Sequence, residues 1–262
     1  MTAMLMTPEK LAAKLIDDYC ISGPGHLNVE EIANAEKLFV IERPLKNFLG
    51  MINYEKNYGL ITISEKIPTV TQKIFTITHE MGHFFNERFK SEHLRGCKSD
   101  DLVSYKSKKL NEDNANLFAA EFLMHKPWFL DFARNTDLSI ESIKETANHF
   151  KVSFSAAAIR FIEVGQFPSA IIYCINTKVQ WYAAHKLFPF KFLTKAYDVP
   201  GESLALKLFN GVHTITERKL VRAKAWFNDD LKCNASTYLF EQCISMPNYN
   251  AVMVLLTPSE FL

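Results

Sequence analysis

The sequence is short of net charge. Its 262 residues carry 30 Lys and Arg against 29 Asp and Glu, a formal net charge of +1. Such a balance provides no overall field to draw in nucleic acid or an anionic membrane surface. Cysteine is also scarce. There are five (Cys20, Cys97, Cys174, Cys233 and Cys243), with no pair at C-x-x-C spacing. An odd, sparse set excludes the disulfide framework of a small secreted protein and points to reduced thiols in a cytoplasmic one. Long apolar runs are missing as well. Ala251–Leu256 falls far short of the roughly 20 residues a spanning helix needs. Met1–Lys10 has no basic segment leading into an apolar one, so no signal peptide is expected and no membrane partner. No repeat or low-complexity segment occurs. What remains is ordinary globular composition, 48% hydrophobic and 23% charged. That length allows one large domain or two of roughly 100–150 residues.

Hydrophobic periodicity divides the chain. Thr7–Tyr19 reads as an amphipathic helix with Thr7 as N-cap and Pro8 in its first turn. Gly23-Pro24-Gly25 breaks it. A short helix at Val29–Glu36 and a strand at Phe39–Glu42 follow. Alternation in Leu49–Tyr54 and Tyr58–Ser64, around Glu55-Lys56-Asn57, predicts a β-hairpin. The period turns helical from Thr71 to about Phe89. A polar loop covers Lys90–Leu110, and a second strong helix covers Asn111–Met124. Leu138–Val164 is helical again, with Ser139 as cap and Gly165 as stop. Beyond Pro168 strands are expected at Ala170–Asn176, Val179–His185, Ser203–Asn210, Arg222–Asn228, Ser236–Ile244 and Val252–Thr257. The fold class is α+β. The expected domains are 1–130, a helical lobe at 131–167 and a C-terminal α+β domain at 168–262.

One motif carries chemistry. His79-Glu80-Met81-Gly82-His83 is H-E-x-x-H inside a predicted helix. Residues four apart share a helix face, so His79 and His83 can offer two imidazole nitrogens to one metal ion. Glu80 lies one step round, placed to accept a proton from a metal-activated water. The competing reading is a helix with two satisfied histidines and an ordinary acid. Gly82 weakens helix propensity by roughly 1 kcal/mol against alanine, which makes sense where another segment packs closely.

A catalytic zinc site keeps three protein ligands and an open position. The acids of the second helix are Glu112, Asp113 and Glu121. Ala115 and Ala119 share the face of Glu112, and small residues there permit close approach to the first helix. That geometry favours Glu112. The competing reading is a core helix whose acids face water.

The stretch Gln72–His83 resembles the active-site helix of the ImmA/IrrE family of metallo-endopeptidases. Glu112–Met124 resembles that family's second signature, E-x-x-A-N-x-F-A-A-x-x-L-M. The resemblance covers roughly residues 5–165. It implies thermolysin-like, gluzincin-type ligation, with Glu112 completing the metal site beside His79 and His83 and with Glu80 as general base. It implies Zn2+ as cofactor, although two imidazoles and a carboxylate also suit Mn2+ or another divalent ion. The implied substrate is a helix-turn-helix repressor, whose cleavage derepresses stress, mobile-element or phage genes. The alternative is a metal-containing regulatory protein that binds a repressor or DNA without cutting. A third option is a metal-dependent hydrolase acting on something other than peptide. One departure is visible: His125 stands where the signature has proline, and Pro127 follows. This lets the helix run slightly longer and gives His125 a route toward the site, but the favoured reading of His125 is a surface histidine.

A peptidase also needs a partner for the developing oxyanion. His93, Arg95 and Tyr105 in the polar loop are the candidates, with Tyr54 and Tyr58 on the hairpin behind them. Substrate could add as a strand, and Leu60–Ile63 is the expected edge. Ala147–Ser153 with Ala156–Phe161 resembles a helix-turn-helix, but its second helix carries only Arg160 as a base, which speaks against DNA reading. Some members of the resembled family end in a GAF-like sensor domain. By that analogy residues 168–262 would receive a small-molecule signal, or a redox signal at Cys174, Cys233 or Cys243.

Overall fold

The structure is a computed structural model. It describes residues 6–87, 94–97, 110–134, 136–191, 193, 197–211, 214–234 and 236–259. The chain divides into two compact units. One is Met1–Phe132 with Ala147–Ala156, and the other is Ala133–Thr146 with Ala157–Leu262.

The first unit opens with α1 (Pro8–Asp18), where the Thr7 hydroxyl accepts from Lys10 N and Pro8 fills the first turn, as the sequence predicts. Next come α2 (Val29–Ala35) and a four-stranded sheet of β1 (Leu38–Arg43), β2 (Gly50–Tyr54), β3 (Gly59–Ser64) and β4 (Leu94–Cys97). The expected hairpin is β2–β3, paired antiparallel from Gly50↔Ile63 to Tyr54↔Gly59. The sheet order is β1-β3-β2-β4. The expectation that Leu60–Ile63 forms an edge is therefore wrong. β1 adds in parallel to β3, Leu38↔Gly59 through Arg43↔Ser64, and occupies the side that the hairpin leaves free. Among the described residues the edges are β1 and β4.

Helix α3 (Val70–Glu87) crosses this sheet, its start capped by the Thr69 hydroxyl, which accepts from Gln72 N at 3.2 Å. Tyr54 meets Phe84 edge to face, with centroids 5.7 Å apart. Ile52, Ile61, Ile77, Met81 and Phe84 are fully buried. Helix α4 (Leu110–Leu123) lies along the other side of α3. Phe85 stacks on Phe118 at 5.6 Å, and Gly82 meets Ala115. Helix α4 does not run on through His125. It ends at Leu123, and α5 (Lys126–Ala133) restarts around Pro127, which suits a first turn.

Helices α6 (Ile140–His149) and α7 (Phe154–Val164) follow, and residues of each fall in both units. Ser139 and Ser142 cap α6 reciprocally, each hydroxyl accepting from the other's backbone N–H. Gly165 follows α7, where a Cβ would lie 2.2 Å from the Phe161 carbonyl oxygen.

The second unit holds an antiparallel sheet of β5 (Ala170–Ile175), β6 (Lys178–Ala184), β7 (Lys219–Arg222), β8 (Tyr238–Met246) and β9 (Ala251–Pro258), ordered β6-β5-β9-β8-β7. One face packs a core of Ile172, Cys174, Cys243, Val252 and Val254 against Phe188, Phe190, Trp226 and Phe227. Gln242 of β8 accepts from Ile140 N and donates to Glu141, tying the start of α6 to the sheet. Two predicted strands are helical instead. Leu204–Phe209 is α8 and Ala223–Trp226 is α9. Leu204, Leu206 and Leu208 alternate as in a strand, but the buried set is Leu204, Ala205 and Leu208, a helical spacing. Ser203 caps this helix by accepting from Ala205 N at 3.0 Å. Likewise Ala223, Trp226 and Phe227 are buried at helical intervals.

Candidate metal centre

Helix α3 presents its two working faces to two different neighbours. Consecutive helical residues point about 100° apart, so His79 and His83 face α4 while Glu80 faces β2. All three are buried, as is Glu112. His79 Nε2 and His83 Nε2 lie 3.1 Å apart. Glu112 Oε2 is 3.2 Å from the first and 3.4 Å from the second. A tetrahedral ion with bonds of 2.0–2.1 Å separates its donors by about 3.3–3.4 Å. The three atoms thus form a triangle of the size that a divalent ion spans. Among the described residues these are the side chains that could hold a metal together, and two imidazoles with one carboxylate fit a divalent ion.

The far nitrogens are also held. His79 Nδ1–H donates to Asn116 Oδ1 and His83 Nδ1–H to Glu87 Oε1, both at 2.9 Å. These acceptors leave each Nε2 lone pair aimed at the common point. Sequence reading gave neither residue a role. The signal was present, since Glu87 stands four after His83 and Asn116 four after Glu112.

Close approach depends on small residues. A Cβ on Gly82 would lie 2.9 Å from Ala115 Cα and 3.0 Å from Ala115 O. This is the close packing that Gly82 and Ala115 suggest in sequence. Gly50 does the same on the other face, where a Cβ would lie 2.5 Å from Thr76 Cγ2 and 2.8 Å from Glu80 Oε1. Gly50 was not foreseen.

Electrostatics divide the carboxylates. Burial pushes the Glu80 carboxyl up to about 8, against a counter-pull from His83, and among the described residues neither oxygen has a hydrogen-bond partner. Burial also opposes ionisation of Glu112, but the His79 and His83 imidazoles against it outweigh that and hold the carboxyl well below its ordinary range. Burial depresses His79. At His83 the hydrogen bonds to Glu112 and Glu87 overcome burial and push it up to about 9. In metal-free protein a proton on His83 supplies the positive charge this acidic pocket lacks.

Other candidates sort plainly. His93 and Tyr105 lie outside the described residues. Arg95 lies on β4, opposite Ile52 in register. Tyr54 is core and Tyr58 is exposed. His125 is not one of the donors that could share an ion; it donates from Nδ1 to Glu121 at 2.8 Å and meets the Trp128 ring edge to face. Arg160 is buried, so it offers no charge to a DNA phosphate. Cys174 and Cys243 are fully buried. Burial pushes the Cys174 thiol up to about 12 and the Cys243 thiol well above its ordinary value. Oxidation needs thiolate and access, and both are lacking there. Among the described residues, no helix is long and apolar enough to cross a membrane.

A family model described as the IrrE N-terminal-like domain matches residues 33–161, the stretch that contains both helices of this site. Residues 33–161 belong to the ImmA/IrrE family of metallopeptidases. It is 24% identical over 157 residues to the metallopeptidase ImmA of Bacillus subtilis (strain 168), across 56% of this chain and 82% of that protein. A solved structure described as a Mycobacterium tuberculosis transcriptional regulator shares the fold with a TM-score of 0.65 at 12% identity, covering 96% of this chain and 75% of that one.

Proposed function

We propose that this ImmA/IrrE family member is a cytoplasmic zinc-dependent endopeptidase that cuts a helix-turn-helix repressor at one site, and so derepresses stress, mobile-element or phage genes. His79, His83 and Glu112 hold the ion, and Glu80 is the general base. The observation that carries this reading is the triangle of three buried donor atoms 3.1–3.4 Å apart, with the Glu80 carboxylate beside it and without a hydrogen-bond partner among the described residues. When bound, a divalent ion supplies Lewis acidity that acidifies water and polarises a carbonyl. The chain supplies the rest. Glu80, already poised to hold a proton by burial, takes one from the attacking water and returns it to the leaving nitrogen. Asn116 and Glu87 keep the imidazoles turned with Nε2 inward. Peptidase function belongs to residues 1–130 in this reading, the helical lobe is 131–167, and a regulatory GAF-like module occupies 168–262.

The test uses the repressor encoded beside this protein's gene. Wild type and Glu80→Gln are incubated with it, with and without added zinc, and products are read by intact mass. The expected result is a single zinc-dependent cut, absent in E80Q although that variant still binds zinc. A wild-type cleavage rate in E80Q overturns the assigned base. A repressor that forms a complex and is never cut supports the non-cleaving regulatory reading instead.

A further inference from the structure

The two histidines of the triangle are supported differently. Asn116, a neutral amide, holds His79 from α4. Glu87, a carboxylate, holds His83 from its own helix, one turn further on. Glu87 and His83 are each about 1% exposed, so their 2.9 Å hydrogen bond is sealed from water. A carboxylate kept in such a place loses several kcal/mol of hydration, and only specific partners return it. A neutral acceptor would orient the ring equally well, as Asn116 does for His79. The charge is what Glu87 adds.

We propose that Glu87 is a positioning residue for the metal site: it locks His83 with Nδ1 protonated and Nε2 facing the triangle, and its negative charge strengthens this ligand's hold on a divalent ion. The inference rests on the metal-site reading above. A carboxylate behind an imidazole raises the basicity of the coordinating nitrogen, and losing such a partner weakens metal affinity by about 10–100-fold. The same charge also balances the sum. Glu112 and Glu87 together bring two negative charges to a divalent ion, and Glu80 remains outside the balance as an exchangeable base. The helix supplies the geometry without extra cost, because positions four apart stack on one face.

The test compares zinc dissociation constants, measured by competition with a chromophoric chelator, for wild type, H83A, E87Q and E87M. H83A is the control for the underlying reading, and it must lose zinc. E87M removes both hydrogen bond and charge at similar volume and is expected to bind about 10–100-fold more weakly. E87Q keeps an acceptor and loses the charge, so it should fall between the two. A second readout is the His83 imidazole in zinc-loaded protein labelled with 15N at histidine. Wild type and E87Q should show an exchange-protected Nδ1 proton, which E87M should lack. If H83A loses zinc while E87M binds like wild type, the inference fails and the site stands. If H83A binds like wild type, the metal-site reading itself fails. An E87Q variant as tight as wild type overturns the role of charge. A lowered melting temperature in E87M with unchanged affinity and an unchanged Nδ1 signal makes Glu87 a packing residue only, and also overturns the proposal.

Discussion

Gly82→Ala isolates the packing that brings the two signature helices together. The added methyl would sit 2.9 Å from Ala115 Cα, 3.0 Å from Ala115 O and 3.3 Å from Ala115 Cβ. Comfortable carbon contacts lie near 3.5–4.0 Å. The obstructing atoms are mostly backbone, so no rotamer change relieves them, and α3 and α4 must part by about 0.6–1 Å. Two terms oppose each other in stability. Alanine gains roughly 1 kcal/mol of helix propensity over glycine, while overpacking costs about 1–3 kcal/mol. The net loss is about 0–2 kcal/mol, which at this chain length moves Tm by only a few degrees. The metal readout is far more sensitive. Glu112 rides on α4 and the histidines on α3, so the same displacement stretches both contacts now at 3.2 and 3.4 Å. Metal sites tolerate ligand errors of about 0.2 Å. Zinc affinity should therefore fall by roughly tenfold or more, the scale seen on losing a supporting partner. Calorimetric zinc titration, with circular dichroism to show an intact fold, checks this. A G82A protein that gains stability and binds zinc at wild-type affinity would refute the argument, because the helices would then have had room to spare.

Other expectations follow from the same geometry. The Glu80 carboxyl, with an ordinary value of 4.5, is pushed up to about 8 in metal-free protein, so the folded state holds more protons than the unfolded state between those values. Stability from the protonated form is then lost as pH rises through about 8. With chelator present, E80Q should melt higher than wild type by a margin that widens from pH 5 to pH 9, and a constant margin would show that Glu80 does not titrate this way. In the second unit, buried Glu241 accepts from Ser203 Oγ at 2.5 Å, Leu204 N at 3.1 Å and Trp226 Nε1 at 3.4 Å. Glu241→Ala strands these donors and should cost about 2–4 kcal/mol in denaturant melts. A loss below about 0.5 kcal/mol, the range of surface substitutions, would mean that the network is dispensable.

The site was legible where chemistry follows from spacing along one helix. His79 and His83 at an interval of four, and Glu112 with Ala115 on one face, need only helical periodicity. The α8 segment was not legible, because Leu204, Leu206 and Leu208 satisfy a strand's alternation while Ser203 and Leu204–Ala205–Leu208 satisfy a helix, and tertiary burial chose the helix. Sheet order was hidden for a related reason. The hairpin is local, but the parallel pairing of β1 with β3 joins segments separated by the whole of β2, and nothing in Leu38–Arg43 announces its partner. Gly50 was invisible because its importance lies in Thr76 and Glu80, on an element whose approach only the fold reveals.

A single helix therefore cannot complete this site. The turn of 100° per residue that gives the base its independence from the ligands also sends it to a different neighbour. His79 and His83 are completed by α4 through Glu112 and Asn116, whereas Glu80 is enclosed by β2 through Gly50. The metal ligands and the enclosure of the base thus lie at separate interfaces of one helix, although the charges of His83 and Glu112 still act on Glu80. A perturbation at Ala115 acts on the metal first, and one at Gly50 acts on the proton first. Filling the space at Gly50 presses on Thr76 Cγ2 and Glu80 Oε1, neither of them a donor of the triangle, so a Gly50→Ala variant that still binds zinc separates the work of the base from that of the metal.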